Sequence, residues 1–453
     1  MGKDLRLIDL KGETSMGTTK PLCKTSTKLA RIAQMSRENP GCEIKWLMPH
    51  YNQESLKGCF GELDGKKALG ADQVSKDEYG VNIDNNISEL SGRMKTMSYR
   101  PGPVREKLIP KEGKPGATRP LGISNFEDKM VQRMTSKILE AIYEPTFRNC
   151  SYGFRPNRSC HMAVKDLCNS IHKNQYEVVI DVDLKNYFGT LDHGKLLDFL
   201  KLRIKDETFL RYIVRMLKAG VLSDGELRVT DEGSPQGNVA SPVLSNIYGH
   251  YVIDCWFEDV VKPHAVGPVE LFRYCDDMVI CCRYATDADR ITKALEGRLA
   301  KFKLELNLDK TKSVPFSKRV FDRGRDQGTF DFLGFTFYLA RTQKGNVTVK
   351  VKTSRKRFRS KLANVKDWVK SNRHIRLLWL WKTFRSKLLG HLNYYGVSHN
   401  DKDVSRFFYE AKKIFFKWIN RRSQRMSLTW EKFDIFMARN PLPRVTVRHS
   451  LFS

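Results

Sequence analysis

The 453-residue sequence contains ten cysteines, and no two of them form a Cys-x-x-Cys pair. That spacing argues against a zinc ribbon or a zinc-bound nuclease appendage and leaves reduced structural thiols as the expectation. No apolar run approaches the roughly 20 residues that a membrane-spanning helix needs. The opening Met1-Gly-Lys-Asp-Leu-Arg is charged and carries no apolar stretch, so the expectation is a soluble, intracellular (cytoplasmic) protein without a membrane partner. Internal repeats and low-complexity segments are absent. Acids are in short supply: 51 Asp and Glu stand against 80 Lys and Arg, a formal net charge of +29. An imbalance of that size points to nucleic acid, although a basic ribosomal or packaging protein would share it. Charge alone does not separate an enzyme from a binding protein.

What is present is ordered along the chain. A hydrophobic content of 40% and this length suit two to four units with a real core. In the polar first hundred residues, Gly58, Gly61, Gly65 and Gly70 suggest loops between short helices. The alternation over Val104–Pro110 predicts a strand, followed by a turn at Gly113 to Gly116. Met130, Met134, Ile138, Leu139 and Ile142 recur at helical spacing and stop before Pro145. Val178 to Val182 is β-rich and ends in Asp183, and Lys195 to Ala219 has helical character. Ser241-Pro242 predicts a helix start, with serine as N-cap, leading into Val243–Val260. Leu271–Cys282 is a second β-rich stretch, interrupted by Asp276-Asp277, which predicts a hairpin turning at the two acids. Strands and helices mix without strict alternation, so the fold class is α+β with a mainly antiparallel sheet. From Lys350 to Lys387 there are fourteen Lys or Arg and one acid, Asp367. Phe358, Leu362, Val365 and Val369 mark an amphipathic helix there. The expected divisions are 1–98, 99–345, a basic helical unit 346–425, and a tail 426–453. Trp368, Trp379 and Trp381 are expected in the core of that unit, with base stacking as the alternative.

Asp183 and the Asp276-Asp277 pair each end or interrupt an apolar β-rich stretch, where an unpaired carboxylate is costly to bury. Side by side in one sheet they would repel unless cations lay between them. Mg2+ suits such oxygens and leaves positions for phosphate, and two ions would clamp both oxygens of a phosphoryl transfer. An isolated Asp-Asp pair more often only tips a surface hairpin. Here, however, Asp183-Leu-Lys-Asn-Tyr-Phe188, then Ser234-Pro-Gln-Gly237, then Tyr274-Cys-Asp-Asp277 follow in order.

This ordered set resembles the palm motifs of reverse transcriptases. Lys67-Ala-Leu-Gly-Ala-Asp72 looks like the N-terminal block of non-LTR and group II intron enzymes. Ile109-Pro-Lys-Glu-Gly113, Thr118-Arg-Pro-Leu-Gly-Ile123 and Ser151-Tyr-Gly-Phe-Arg-Pro-Asn-Arg-Ser159 resemble group II intron enzymes closely. Phe332-Leu-Gly-Phe335 is similar to their palm–thumb junction, and Gly390-His-Leu-Asn-Tyr-Tyr-Gly-Val397 and Trp418 to Arg425 lie in the region of their thumb. The resemblance covers almost the whole chain and is to compact group II intron-encoded reverse transcriptase/maturases without an endonuclease domain.

It implies a right-hand architecture, with an N-terminal extension (1–98), fingers and palm (99–345), and a helical thumb or maturase domain (346–425). It implies RNA-directed DNA synthesis from a DNA primer on an RNA template, holding an RNA–DNA duplex and deoxynucleoside triphosphates. Group II intron RNA would be a further partner. Asp183, Asp276 and Asp277 would hold two Mg2+, or Mn2+ in their place, with the Leu184 carbonyl assisting. Lys111 and Arg119 would contact the triphosphate, and Lys185, Asn186, Tyr187, Phe188 and Gln236 would line the nucleotide site. Gly237, Tyr274 and Cys275 would lie along primer and template, and Lys310 is a candidate general acid, with Lys312 as its competitor. Phe188 would exclude a 2′-hydroxyl by bulk and so select deoxynucleotides. Gly189, Asn238 and Cys275 depart from the common pattern, where Asp, Gly and Ala are usual. A relative adopted for DNA repair or phage defence, and a non-catalytic RNA-binding splicing cofactor, are the other readings. Oligomeric state is left open.

Overall fold

A computed structural model describes residues 24–110, 116–223, 226–228, 232–233, 237–422 and 428–452. Lys111, Gly113 and Gln236 lie outside the described residues. Helices α1 (Lys24–Glu38), α2 (Gln53–Glu62), α3 (Lys76–Val81) and α4 (Ile83–Lys95) open the described chain. Gly58 and Gly61 are inside α2, where nothing crowds their Cα, and only Gly65 and Gly70 fall in the expected loop. Ser75 and Glu78 form a reciprocal capping box that starts α3. Ile87, Leu90 and Met94 give α4 one buried stripe.

A small sheet follows, with β1 (Val104–Pro110) antiparallel to β2 (Thr118–Ile123). Helix α5 (Phe126–Tyr143) buries the expected stripe from Met130 to Ile142 and ends at a 3-10 turn through Pro145. Helix α6 (Cys160–Lys173) leads to β3 (Val178–Asp183). The helix expected over 195–219 is two helices, α7 (His193–Lys201) and α8 (Glu207–Leu217). The break arises because Arg203 and Lys205 bond to Ile44 through their backbones while Asp206 caps α8 by accepting the Phe209 N–H. Both pieces bury one core, so the apolar period runs through the break undisturbed. Strands β4 (Val221–Ser223) and β5 (Glu226–Arg228) complete the first sheet in the order β2-β1-β4-β5, with β1–β4 its one parallel pair among the described strands.

Helix α9 (Ser241–Gly249) is not capped by Ser241. Ala240 occupies the cap position, and the Asn238 side chain accepts the Ala240 N–H at 2.8 Å. Two wide π-helical turns, His250–Asp254 and Phe257–Val261, carry the chain on to α10 (Lys262–His264). The central sheet then forms from β6 (Val269–Tyr274), β7 (Asp277–Cys282) and, after α11 (Ala285–Lys301), β8 (Lys312–Pro315). Its order is β6-β7-β3-β8, antiparallel throughout.

After α12 (Lys318–Asp322) come β9 (Phe330–Phe332), β10 (Phe335–Arg341) and β11 (Val347–Thr353), then α13 (Arg355–Asn372), α14 (Leu377–Tyr395), α15 (Asp401–Ile419) and α16 (Trp430–Arg439). The division expected at 345 falls in the β10–β11 turn, whose strands pair from Arg341↔Val347 to Phe335↔Thr353, so the helical unit begins at Arg355. The segment after 428 is built into that unit, with Phe433 and Leu451 fully buried. Trp381 is core, against Phe384, Phe415 and Phe433, whereas Trp379 is 65% exposed, so stacking on one face of α14 fills the core with only one of the pair.

The central sheet is buried on both faces, which is why its strands carry nearly continuous apolar runs. Val178, Ile180 and Val182 join the core made with α5, α7, α8 and α9. Val179, Phe272, Val279 and Cys281 join a second core made with α6, β9–β11 and the C-terminal helices. Among the described residues nine cysteines are free, and no helix is long and apolar enough to cross a membrane.

Candidate active site

Strand periodicity places the acids. Asp181 and Asp183 alternate with Val182, so they share the sheet face of Val179, toward the C-terminal unit. Antiparallel pairing sets Asp183 directly opposite Asp277, and Tyr274 opposite Asp277 across the tight turn. Cys275 takes φ +62° in that turn, which puts Asp276 at the exposed tip. The three expected acids are therefore brought to one edge of one sheet.

Their surroundings are consistent with an anionic site awaiting positive charge. Asp183 accepts hydrogen bonds at one oxygen from Asn307 Nδ2 and Lys310 Nζ, each at 2.8 Å. Burial first, and then the charges of Asp181, Asp276 and Asp183, push Asp277 up to about 7, with the Leu333 N–H pulling the other way. Asp181 is pushed up to about 6, chiefly by burial and then by Asp331 and Asp183. Asp276 is raised as well, by lost solvation and by Asp183. The described acids do not close into a preformed metal cage. Mg2+ requires only one or two carboxylates when substrate phosphates and water complete its octahedron, and these hard oxygen donors, with an ammonium already resting on Asp183, fit that arrangement.

The other expected contacts divide. Phe188 is half-buried, edge-on to Tyr187 at 5.6 Å, and packs against the first core. Tyr187 turns inward: its ring is buried and its hydroxyl donates to the Ser245 carbonyl at 2.7 Å, so only its backbone remains for a nucleotide. Cys275 is buried with its sulfur against Ser245, so its side chain faces the core rather than primer or template. Lys185 pairs with Glu305. Arg119 lies exposed on β2, opposite Ile109. Gly237, at φ +113°, abuts the same strand, and a Cβ there would meet the Gly122 carbonyl at 2.3 Å. Asn186 takes a left-handed conformation with φ +44°, and its amide fills the space beside Gly189, where a Cβ would approach Nδ2 to 2.3 Å. The lack of a side chain at 189 is thus the counterpart of the asparagine at 186.

A cavity of about 650 Å³ opens beside Asp277, between β9–β10 and helices α13 and α14. Arg357, Lys361 and Lys387 line it, together with Gly334, His391 and Tyr394. The basic helical unit therefore presents cations toward the acids.

Sequence reasoning missed what holds the turn. Arg273 is fully buried and donates to both Asp254 oxygens at 2.6 and 2.5 Å, to Ser151 Oγ at 2.8 Å, and to the Cys275 carbonyl at 3.1 Å. Burial opposes its charge, but Asp254 overcomes that and holds the guanidinium above its usual value. A Cβ on Gly249 would sit 2.8 Å from Arg273 Nη1, so α9 can pass only as glycine there. The signal was present: a charged residue inside Leu271-Phe-Arg-Tyr274 demands a buried partner.

Residues 109–337 match the reverse transcriptase (RNA-dependent DNA polymerase) family. Protein YkfC of Escherichia coli is 30% identical over 358 residues, covering 70% of this chain and 90% of YkfC. The group II intron-encoded protein LtrA of Lactococcus lactis is 39% identical over 228 residues, covering 50% of this chain and 37% of LtrA. A putative COX1/OXI3 intron 2 protein of Saccharomyces cerevisiae is 34% identical over 226 residues, 50% of this chain and 24% of that protein. The chain thus spans little more than a third of LtrA.

Proposed function

The chain belongs to the group II intron-encoded reverse transcriptase/maturase family, and from that premise we propose that it extends a DNA primer on an RNA template by two-metal phosphoryl transfer. The observation that carries this reading is the register of Asp183 against Asp277, with Asp276 at the adjoining tip. Two Mg2+, or Mn2+ in their place, would supply Lewis acidity and neutralise charge between the attacking and leaving oxygens. Asp183, Asp276 and Asp277 would hold them, with the Leu184 carbonyl beside Asp183. Lys310, on Asp183 now, would be released toward the triphosphate as that charge is taken over, which suits a donor to the leaving pyrophosphate. Arg119, on β2, would clamp the triphosphate together with Lys111, and Gln236 would contact the nucleotide. Asn186, with Lys185 and Tyr187 through their backbones, would complete the nucleotide site, and Tyr274 would meet the primer end. The helical unit after Arg355 would be the thumb, and binding and splicing of a group II intron RNA would be a further role. The test is extension of a DNA primer on an RNA template with Mg2+ and deoxynucleotides. A protein that binds RNA tightly yet yields no product would replace this reading with that of a non-catalytic splicing cofactor.

Two outcomes follow from parts of the site. Phe188→Ala should open space for a 2′-hydroxyl and cut discrimination against ribonucleotides by roughly 10²-fold. The ratio of kcat/KM for deoxy- and ribonucleotides measures it, and an unchanged ratio rejects bulk as the device. If the cations of α13 and α14 grip the duplex through phosphates, log affinity should fall against log salt by about 0.9 for each phosphate neutralised on a fully double-stranded site. A nearly flat plot of hybrid binding between low and moderate salt would count against that grip.

A further inference from the structure

The segment Ser151 to Ser159 has a sequence motif but, so far, no chemical task. Its backbone is pinned on both sides of Phe154. Before it, the Tyr152 N–H donates to the Arg273 carbonyl at 2.8 Å, and the Gly153 carbonyl accepts Asn246 Nδ2 at 2.6 Å. Gly153 presses on the catalytic turn so closely that a Cβ there would lie 2.7 Å from the Cys275 nitrogen. After it, buried Arg155 grips Glu144 with Nε and Nη2, while its Nη1 donates to the Arg148 and Ser151 carbonyls.

Between these anchors Phe154 takes φ +53° and stays 56% exposed. A left-handed conformation is uncommon for a bulky residue, and it is retained where surroundings over-determine it, often at a working site. Single exposed aromatics are ordinary on protein surfaces. An exposed aromatic forced into a strained conformation by a buried brace is not, because the ring gains little burial in return. Its ring lies 6.2 Å from that of Tyr274, two residues before Asp276. Tyr274 in turn adjoins the second core, which includes the C-terminal helices. Phe154 therefore stands beside the turn that carries Asp276, next to a tyrosine that borders the core of the C-terminal helices. A phenyl ring has no hydrogen-bonding groups to read a base, so it makes sequence-tolerant contact with sugars and base faces.

We propose that Phe154 is a further substrate-contacting residue, forming with Tyr274 an apolar floor on which the primer-terminal end of the RNA–DNA duplex rests. This rests on the polymerase reading above. The test compares wild type with Phe154→Gly and Phe154→Tyr, measuring thermal unfolding, affinity for a labelled DNA primer–RNA template hybrid without deoxynucleotides, and steady-state extension. Glycine removes the ring and relieves the backbone together. Phe154→Gly should unfold at the same or a higher temperature, bind the hybrid about fivefold more weakly, and raise KM for hybrid with kcat largely kept. Phe154→Tyr should restore binding. Unchanged hybrid affinity in Phe154→Gly, or a lowered unfolding temperature marking the ring as packing, overturns the proposal. If wild type neither binds nor extends the hybrid, the polymerase reading itself has failed, whereas an active wild type with an indifferent Phe154→Gly rejects only this contact.

Discussion

Asp276→Ala should abolish RNA-templated DNA synthesis, lowering the single-turnover rate by at least about 10³-fold, which corresponds to some 4 kcal/mol of lost transition-state stabilisation. The size follows from position. Asp276 stands at the tip of the β6–β7 turn, beside the register pair Asp183 and Asp277, and its own ionisation is opposed first by lost solvation and then by Asp183. Its removal should therefore spare the fold: thermal unfolding should be unchanged or shifted slightly upward, because one member of a repelling set is gone. Hybrid binding without deoxynucleotides should also persist. Extension by the variant at more than a few per cent of the wild-type rate would remove Asp276 from the chemistry and leave Asp183 and Asp277 as the acids to examine.

The opposite pattern is expected at Arg273. Arg273→Met leaves Asp254 fully buried with its principal partner removed, a change that costs about 3–5 kcal/mol. The unfolding temperature should fall by many degrees, and activity should fall with it, since the Cys275 carbonyl loses the donor that steadies the turn. A double variant, Arg273→Met with Asp254→Leu, should recover much of the stability, because two apolar side chains remove both buried charges. It should not recover the rate, because the turn still lacks its donor. Denaturant unfolding and single-turnover extension measured on all three proteins separate these effects. Full recovery of rate in the double variant would mean that Arg273 only balances Asp254 and does not position the β6–β7 turn.

Much of this was legible in the sequence because the relevant signals are local. An apolar strand ending in an acid, and a second interrupted by two, leave few arrangements other than adjacent antiparallel strands with the acids at one edge. The α5 stripe and the α+β class followed from periodicity in the same way. What was not legible depends on contacts between distant segments. Nothing near Lys195 announces that Ile44 will bond to Arg203 and Lys205 and split the helix. Tyr187 and Phe188 are both aromatic, and only the fold sends one ring to the Ser245 carbonyl and leaves the other half-buried. Trp379 and Trp381 differ by one partner set, the rings of Phe415 and Phe433, contributed from later helices. Burial of Cys275 likewise depends on Ser245, thirty residues upstream.

The fit of the Asn186 amide into the space at Gly189 reaches beyond catalysis, into how such a sequence can change. The two positions share one volume. With asparagine at 186, a side chain at 189 enters only as the exposed Asn186 amide swings aside, so the rotamer at 186 follows the residue at 189.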